Sequence, residues 1–186
     1  MFPHAALGGK GGVVKRIGLS ALALLAMACE PLVTSWSGTE TMEVRQAQSL
    51  QTPEVAEPTD LKVMSWNLKY GGARINFWFD YWGDRAVMTG AEADANIAGL
   101  IAMINEVEPD VLLGQEVEVN SKRTAYRDMV QMILDGTKLN YAAFIPVWKA
   151  RFIAEQGLGR MESGIVVFSR YPITENLRIA QRDRTD

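Results

Sequence analysis

Two oxygen-bearing side chains stand at the far ends of short strand-like runs. Asn67 closes Lys62-Val63-Met64-Ser65-Trp66-Asn67, where polar and apolar residues alternate as on a half-buried strand. Glu116 follows the apolar Val111-Leu112-Leu113 after Gly114 and Gln115. A carboxylate and an amide oxygen, completed by water and a substrate phosphate, suit a hard cation such as Mg²⁺. The same spacing also admits an asparagine that only forms a turn and a glutamate that is only solvated. Other chemistries are poorly supplied. The single histidine is His4 and the single cysteine is Cys29. His4 lies far from every motif below, which argues against a Ser-His-Asp or Cys-His set, and one histidine and one cysteine do not make a multi-histidine metal centre or a cysteine-rich zinc site.

The elements that must position these two residues are legible. From about Ala91, the residues Ile97, Leu100, Ile101, Ile104 and Val107 recur at three- and four-residue steps, the stripe of a helix. Pro109 ends it. Strand, helix, strand is a βαβ unit, so the two strands are expected parallel and close. Asn67 and Glu116 then share one rim, at the carboxyl ends where α/β sheets bind ligands. A second helix is expected with Asn120 or Ser121 as its cap and Tyr126, Met129, Val130, Ile133 and Leu134 on its face; Gly136 stops it. Further strands are expected over 141–145 and 164–168, and a weaker one over 173–180.

Two other stretches could serve a site. Phe77-Trp78-Phe79-Asp80-Tyr81-Trp82 follows the Asn67 strand. It reads either as a lip that stacks on a base or dips into a bilayer interface, or as a loop folded onto the core by its own aromatics. The second is favoured. Lys149, Arg151 and Arg160 surround Gly157-Leu158-Gly159; a solvated loop is favoured there over a phosphate guide.

Composition sets the frame. The chain has 186 residues, 48% hydrophobic and 22% charged, with a formal net charge of −3. That is enough for one domain with a sizeable core, and it argues against a protein that coats nucleic acid by charge alone. Residues 1–28 read as a secretory signal peptide. Lys10, Lys15 and Arg16 form a basic start, residues 17–26 are small and apolar, and Ala26-Met27-Ala28-Cys29 closes the run. Ala26-x-Ala28 suits ordinary signal peptidase, while Cys29 after a small residue resembles a lipidation site, with Ala26 where leucine is usual. Lipidation is the favoured reading, which anchors the protein to a membrane; plain secretion is the other. The apolar run is short against the ~20 residues a spanning helix needs. Residues 29–60, rich in Glu, Thr, Ser, Gln and Pro, are expected to be a disordered tether, and the folded domain to span 61–186.

Three motifs carry a family resemblance. Lys62-Val63-Met64-Ser65-Trp66-Asn67-Leu68 resembles the opening strand of the endonuclease/exonuclease/phosphatase superfamily. Pro109-Asp110-Val111-Leu112-Leu113-Gly114-Gln115-Glu116 resembles its second signature, with Gly114 where leucine is usual. Gly164-Ile165-Val166-Val167-Phe168-Ser169-Arg170-Tyr171-Pro172-Ile173 is similar to a third. Trp82-Gly83-Asp84-Arg85 also fits. The motifs occur in the family's order and cover most of 61–180.

The resemblance implies a four-layer α/β sandwich and divalent-metal-dependent hydrolysis of phosphate esters. Its substrates are nucleic acid, phospholipid head groups or inositol phosphates, and no obligate protein partner is evident. It makes Glu116 the metal-binding glutamate and Asn67 the asparagine that supports metal and phosphate, with Mg²⁺ or Mn²⁺ as cofactor. The family also uses a histidine backed by an aspartate, and an Asp-x-Asn pair, from its second half. No histidine follows His4, and no Asp-x-Asn follows the third motif. The chain is thus expected to hold the first half of the domain and to be inactive by itself. The alternative is a non-catalytic exported protein that keeps the scaffold and binds a ligand.

Overall fold

The helix between the first two motifs begins with reciprocal capping. Thr89 Oγ1 accepts the N–H of Glu92 at 3.3 Å, and Glu92 Oε2 accepts the N–H of Thr89 at 2.9 Å. This opens α1, Gly90–Val107, and the left-handed Glu108 (φ 49°) closes it. Ile97 and Ile104 are buried, with Leu100 and Ile101 packed beside them. The computed structural model describes residues 38–53, 59–80 and 82–180. The signal peptide expected over 1–28, and Cys29, lie outside the described residues.

Around α1 the strands are β1 Thr39–Thr41, β2 Val44–Gln46, β3 Val63–Asn67, β4 Val111–Glu118, β5 Tyr141–Ile153, β6 Gly159–Ser169 and β7 Leu177–Ile179. They form a five-stranded sheet in the order β2-β5-β6-β4-β3 and a two-stranded sheet of β1 and β7. β3 and β4 run parallel, as the βαβ reading requires, with Asn67 opposite Gln115. The other pairs are antiparallel. The result is a mixed α/β fold with two sheets.

Several boundaries differ from the sequence reading. The second helix, α2, is Met129–Gly136, and its cap is Asp128, whose side chain accepts the N–H of Gln131 at 3.1 Å. Neither Asn120 nor Ser121 caps it. Ser121 instead precedes a short 3₁₀ turn, Lys122–Thr124, and Tyr126 is exposed outside the helix. The strands expected over 141–145 and 164–168 extend into a long hairpin, because Lys149 and Arg160 both pair with Glu162 and hold its outer half together.

The tether reading of 29–60 is corrected within the described residues 38–53. Residues 39–46 supply β1 and β2, which pair with β7 and β5. Arg45 of β2 reaches the α2 cap, Nη1 donating to both oxygens of Asp128 at 3.0 and 2.8 Å. Strands so short carry little alternation, and their pairing partners, β7 for β1 and β5 for β2, lie far along the chain; nothing local announces them.

Both helices cover one face of the five-stranded sheet. Met129, Val130, Ile133 and Leu134 join Ile97 and Ile104 against Leu112, Phe144, Val166 and Phe168. On the opposite face the apolar side chains of β4 and β6 meet solvent: Leu113 is 38% exposed, Val167 39% and Ile165 46%. With Ala143, Ile145, Ile173 and Leu177 these residues line a groove of about 470 Å³.

Candidate active site

Position 116 is set by an irregularity in β4. Gly114 pairs with Val166 and Val117 with Gly164, so two residues of β4 face one of β6. That is a β-bulge, which breaks the alternation and re-aims a side chain. Glu116 takes the strained position, with φ 54° in the left-handed region. The expected short strand therefore continues past Glu116 to Glu118, and Glu116 stands on the bulge, not beyond the strand's end. Gly164 makes the close packing there feasible, since a Cβ on it would lie 2.2 Å from the Ile145 carbonyl oxygen.

Asn67 ends β3 beside this bulge. Its Oδ1 accepts the N–H of Lys69 at 2.9 Å, which starts a turn in which Lys69 and Tyr70 both have φ 44°. Asn67 and Glu116 line one cleft of about 620 Å³. Lys69, Tyr70, Phe79, Asp80, Arg123, Trp148 and Ser163 complete its walls. The structure thus brings both sequence-predicted residues to the same cavity, each exposed to it.

The two residues fit a hard cation in a particular way. Glu116 makes no hydrogen bond or ion pair with the described residues, so its carboxylate is uncommitted. Among the described residues no group of three or more His, Cys, Asp or Glu side chains gathers as a metal cage. A cation here would take one carboxylate, one amide oxygen and several waters or phosphate oxygens. Mg²⁺ is commonly held so, because it dehydrates reluctantly.

The cleft's remaining charges are largely paired. Asp80 Oδ2 accepts the Phe77 N–H at 2.9 Å and Lys69 Nζ at 3.1 Å. These contacts, the backbone one foremost, hold the Asp80 carboxyl below its ordinary value. Glu118 is fully buried, and its Oε1 accepts both Nε (2.9 Å) and Nη2 of Arg123. Burial pushes the Glu118 carboxyl up, against the pull of the Arg123 charge. The Arg123 guanidinium lies over the Tyr70 ring, 3.5 Å from its centroid, and 5.4 Å from that of Phe79. Burial holds the Tyr70 phenol above its ordinary value.

The aromatic stretch divides between its two readings. Phe77 is buried and stacks on Phe79 and edge-on to Tyr70, which is the core role. Phe79 is 45% exposed and lines the cleft, which is the rim role. Lys149 and Arg160 are bound to Glu162 and do not line the cleft.

Glu118, Arg123 and Tyr70 went unseen as a group in the sequence. The chain also holds an Asp-x-Asn, Asp94-Ala95-Asn96, but it lies within α1. Asp94 binds Arg127 at 2.6 and 2.8 Å, and Asn96 donates to the Gly71 carbonyl at 2.9 Å. Both are structural.

The model of the Endonuclease/Exonuclease/phosphatase family matches residues 64–184, which takes in all of β3 but Val63, the bulge and every residue lining the cleft. No curated protein matches the chain.

Proposed function

Since the chain belongs to the endonuclease/exonuclease/phosphatase family, we propose that its domain serves the hydrolysis of phosphate esters, with Mg²⁺ or Mn²⁺ held at Glu116 and Asn67. The observation that carries this is the uncommitted Glu116 carboxylate on its strained bulge, in one cleft with Asn67. When bound, the cation supplies a Lewis acid for a phosphoryl oxygen. Glu116 supplies its charged ligand. Asn67, fixed by its bond to Lys69, presents an oriented amide. Phe79 and Trp148 wall the cleft with apolar surface, which limits water around the ester. The substrate is a phosphate ester of nucleic acid, a phospholipid head group or an inositol phosphate.

The protein, at full length, should hydrolyse bis(p-nitrophenyl) phosphate with Mg²⁺ or Mn²⁺ and stop when EDTA is added. Hydrolysis that persists undiminished in EDTA, or none with either cation, would contradict the proposal.

The leader supports an exported, lipid-anchored protein: a basic start, a short apolar run and Cys29 at the processing site. Expression in a Gram-negative host should remove residues 1–28 and attach palmitate at Cys29. Palmitate labelling that survives Cys29→Ser would exclude lipidation at that residue.

A further inference from the structure

Two side-chain cations line the cleft, and they differ in what they have left to offer. Lys69 Nζ is committed, to Asp80 and to the Ile75 carbonyl, both at 3.1 Å. Arg123 spends Nε and Nη2 on a single oxygen of Glu118. Its Nη1 has no hydrogen-bond partner among the described residues. Nor is Nη1 among the fully buried atoms left without a partner, which are Tyr70 Oη, Trp78 Nε1 and Glu118 Oε2. The side chain is only 8% exposed, and the cavity it lines is the cleft. One edge of a buried, charged, planar fork therefore opens to the site.

That fork is held rigidly. Glu118 grips it from one side, the Tyr70 ring lies against its face, and its own carbonyl accepts the Met88 N–H at 2.8 Å. A buried ion pair is a poor source of stability, because desolvation costs about as much as the attraction returns. It is a good way to fix a donor in advance. A donor ordered before binding loses little entropy when a ligand arrives.

We propose that Arg123 is a phosphate-binding residue of this cleft, its Nη1 edge donating to a non-bridging phosphoryl oxygen of the substrate, with Glu118 as the residue that positions it. The guanidinium is permanently charged and its geometry matches phosphate. The proposal rests on the reading of the cleft as a phosphate-ester site.

The test uses inorganic phosphate as probe and the full-length protein. Isothermal titration should show phosphate binding that Arg123→Gln weakens by about ten- to a hundredfold. Arg123→Lys should recover only part of it, since a point charge replaces the fork. Mn²⁺ affinity should be unchanged in both. A cooperatively melting Arg123→Gln that binds phosphate as the wild type does would overturn the proposal, as would a wild type that binds none at millimolar phosphate. If Arg123→Gln does not fold, phosphate titration of the wild type is followed through the ¹⁵N signals of the arginine Nε–H groups. The signal lost in Arg123→Lys identifies Arg123. It should shift on binding, and its failure to shift at saturation would overturn the proposal. Phosphate binding through Arg123 without any metal-dependent hydrolysis would instead sink the proposed activity and leave this assignment standing.

Discussion

Asn67 stands opposite Gln115 in the parallel pair of β3 and β4, and the next residue, Glu116, is the bulge residue that lines the same cleft. The sheet register thus brings two residues 49 positions apart in the chain to one rim, and the bulge turns the second of them into the cavity. Without the bulge, strict alternation would place Glu116 on the helix-covered face with Gly114.

That dependence makes Gly164 a sensitive position. A methyl group there meets the Ile145 carbonyl at 2.2 Å, and backbone on both strands must shift. Gly164→Ala should destabilise the protein by about 2 kcal/mol or more, as overpacking does. Because Gly164 pairs with Val117 beside the bulge, activity should fall with stability. Thermal melting and diester hydrolysis measured together check this; an unshifted melting point would contradict it.

The Glu118–Arg123 pair should respond asymmetrically. Glu118→Gln leaves a buried guanidinium without its counter-charge and should cost about 3–5 kcal/mol in urea denaturation. The double replacement Glu118→Gln/Arg123→Met removes both charges and should cost clearly less than the sum of the two single changes. Additive losses would show that the two side chains do not depend on each other.

Acid should loosen the start of α1. The Glu92 carboxyl is held down to about 2, first by Arg85 and then by the Thr89 N–H and hydroxyl, against an ordinary value of 4.5. The folded state therefore holds this proton less tightly than the unfolded one. Its stabilisation is full above pH 4.5 and is lost as the pH falls from there through about 2. Glu92→Gln should lower the melting point at pH 7, and the difference should shrink steadily as the pH falls from 4.5 towards 2. A difference that stayed constant over that range would contradict the assignment.

The open sheet face should make the 186-residue chain self-associate. Leu113, Ile165 and Val167 form an apolar surface across neighbouring strands. Exposed apolar patches of this kind drive association. Ile165→Thr with Val167→Thr keeps β-branched residues in the strand and should reduce the apparent mass in light scattering. No change in association would show that another surface is responsible.

Much of this was readable from residues, and the omissions have physical reasons. The stripe from Ile97 to Ile104 announces α1 because its period is local, and Lys62 to Asn67 announces β3 for the same reason. Asn67 and Glu116 are legible because each stands at the end of a strand-like run that also resembles a family motif. β1 and β2 are not, because strands of three polar-rich residues owe their existence to β7 and β5. The bulge left no mark, since Glu116 is not the glycine that a left-handed φ favours. In the sequence Asn120 and Ser121 read as the helix cap ahead of Asp128, because the 3₁₀ turn that separates them from Asp128, followed by left-handed Ala125 and Tyr126, has no periodic signal. That same turn carries Arg123 back to Glu118, so the pair is a product of the loop's path.

The most direct measurement is the kcat/KM of the full-length protein for a phosphodiester at saturating Mg²⁺, wild type against Glu116→Gln. The exchange is nearly isosteric and removes one charged ligand of a hard cation. The loss should be about a hundredfold or more, with a weakened Mg²⁺ dependence and an unchanged melting point. A Glu116→Gln protein that retains wild-type turnover and the wild-type Mg²⁺ response would contradict the assignment of this cleft as the metal-dependent site.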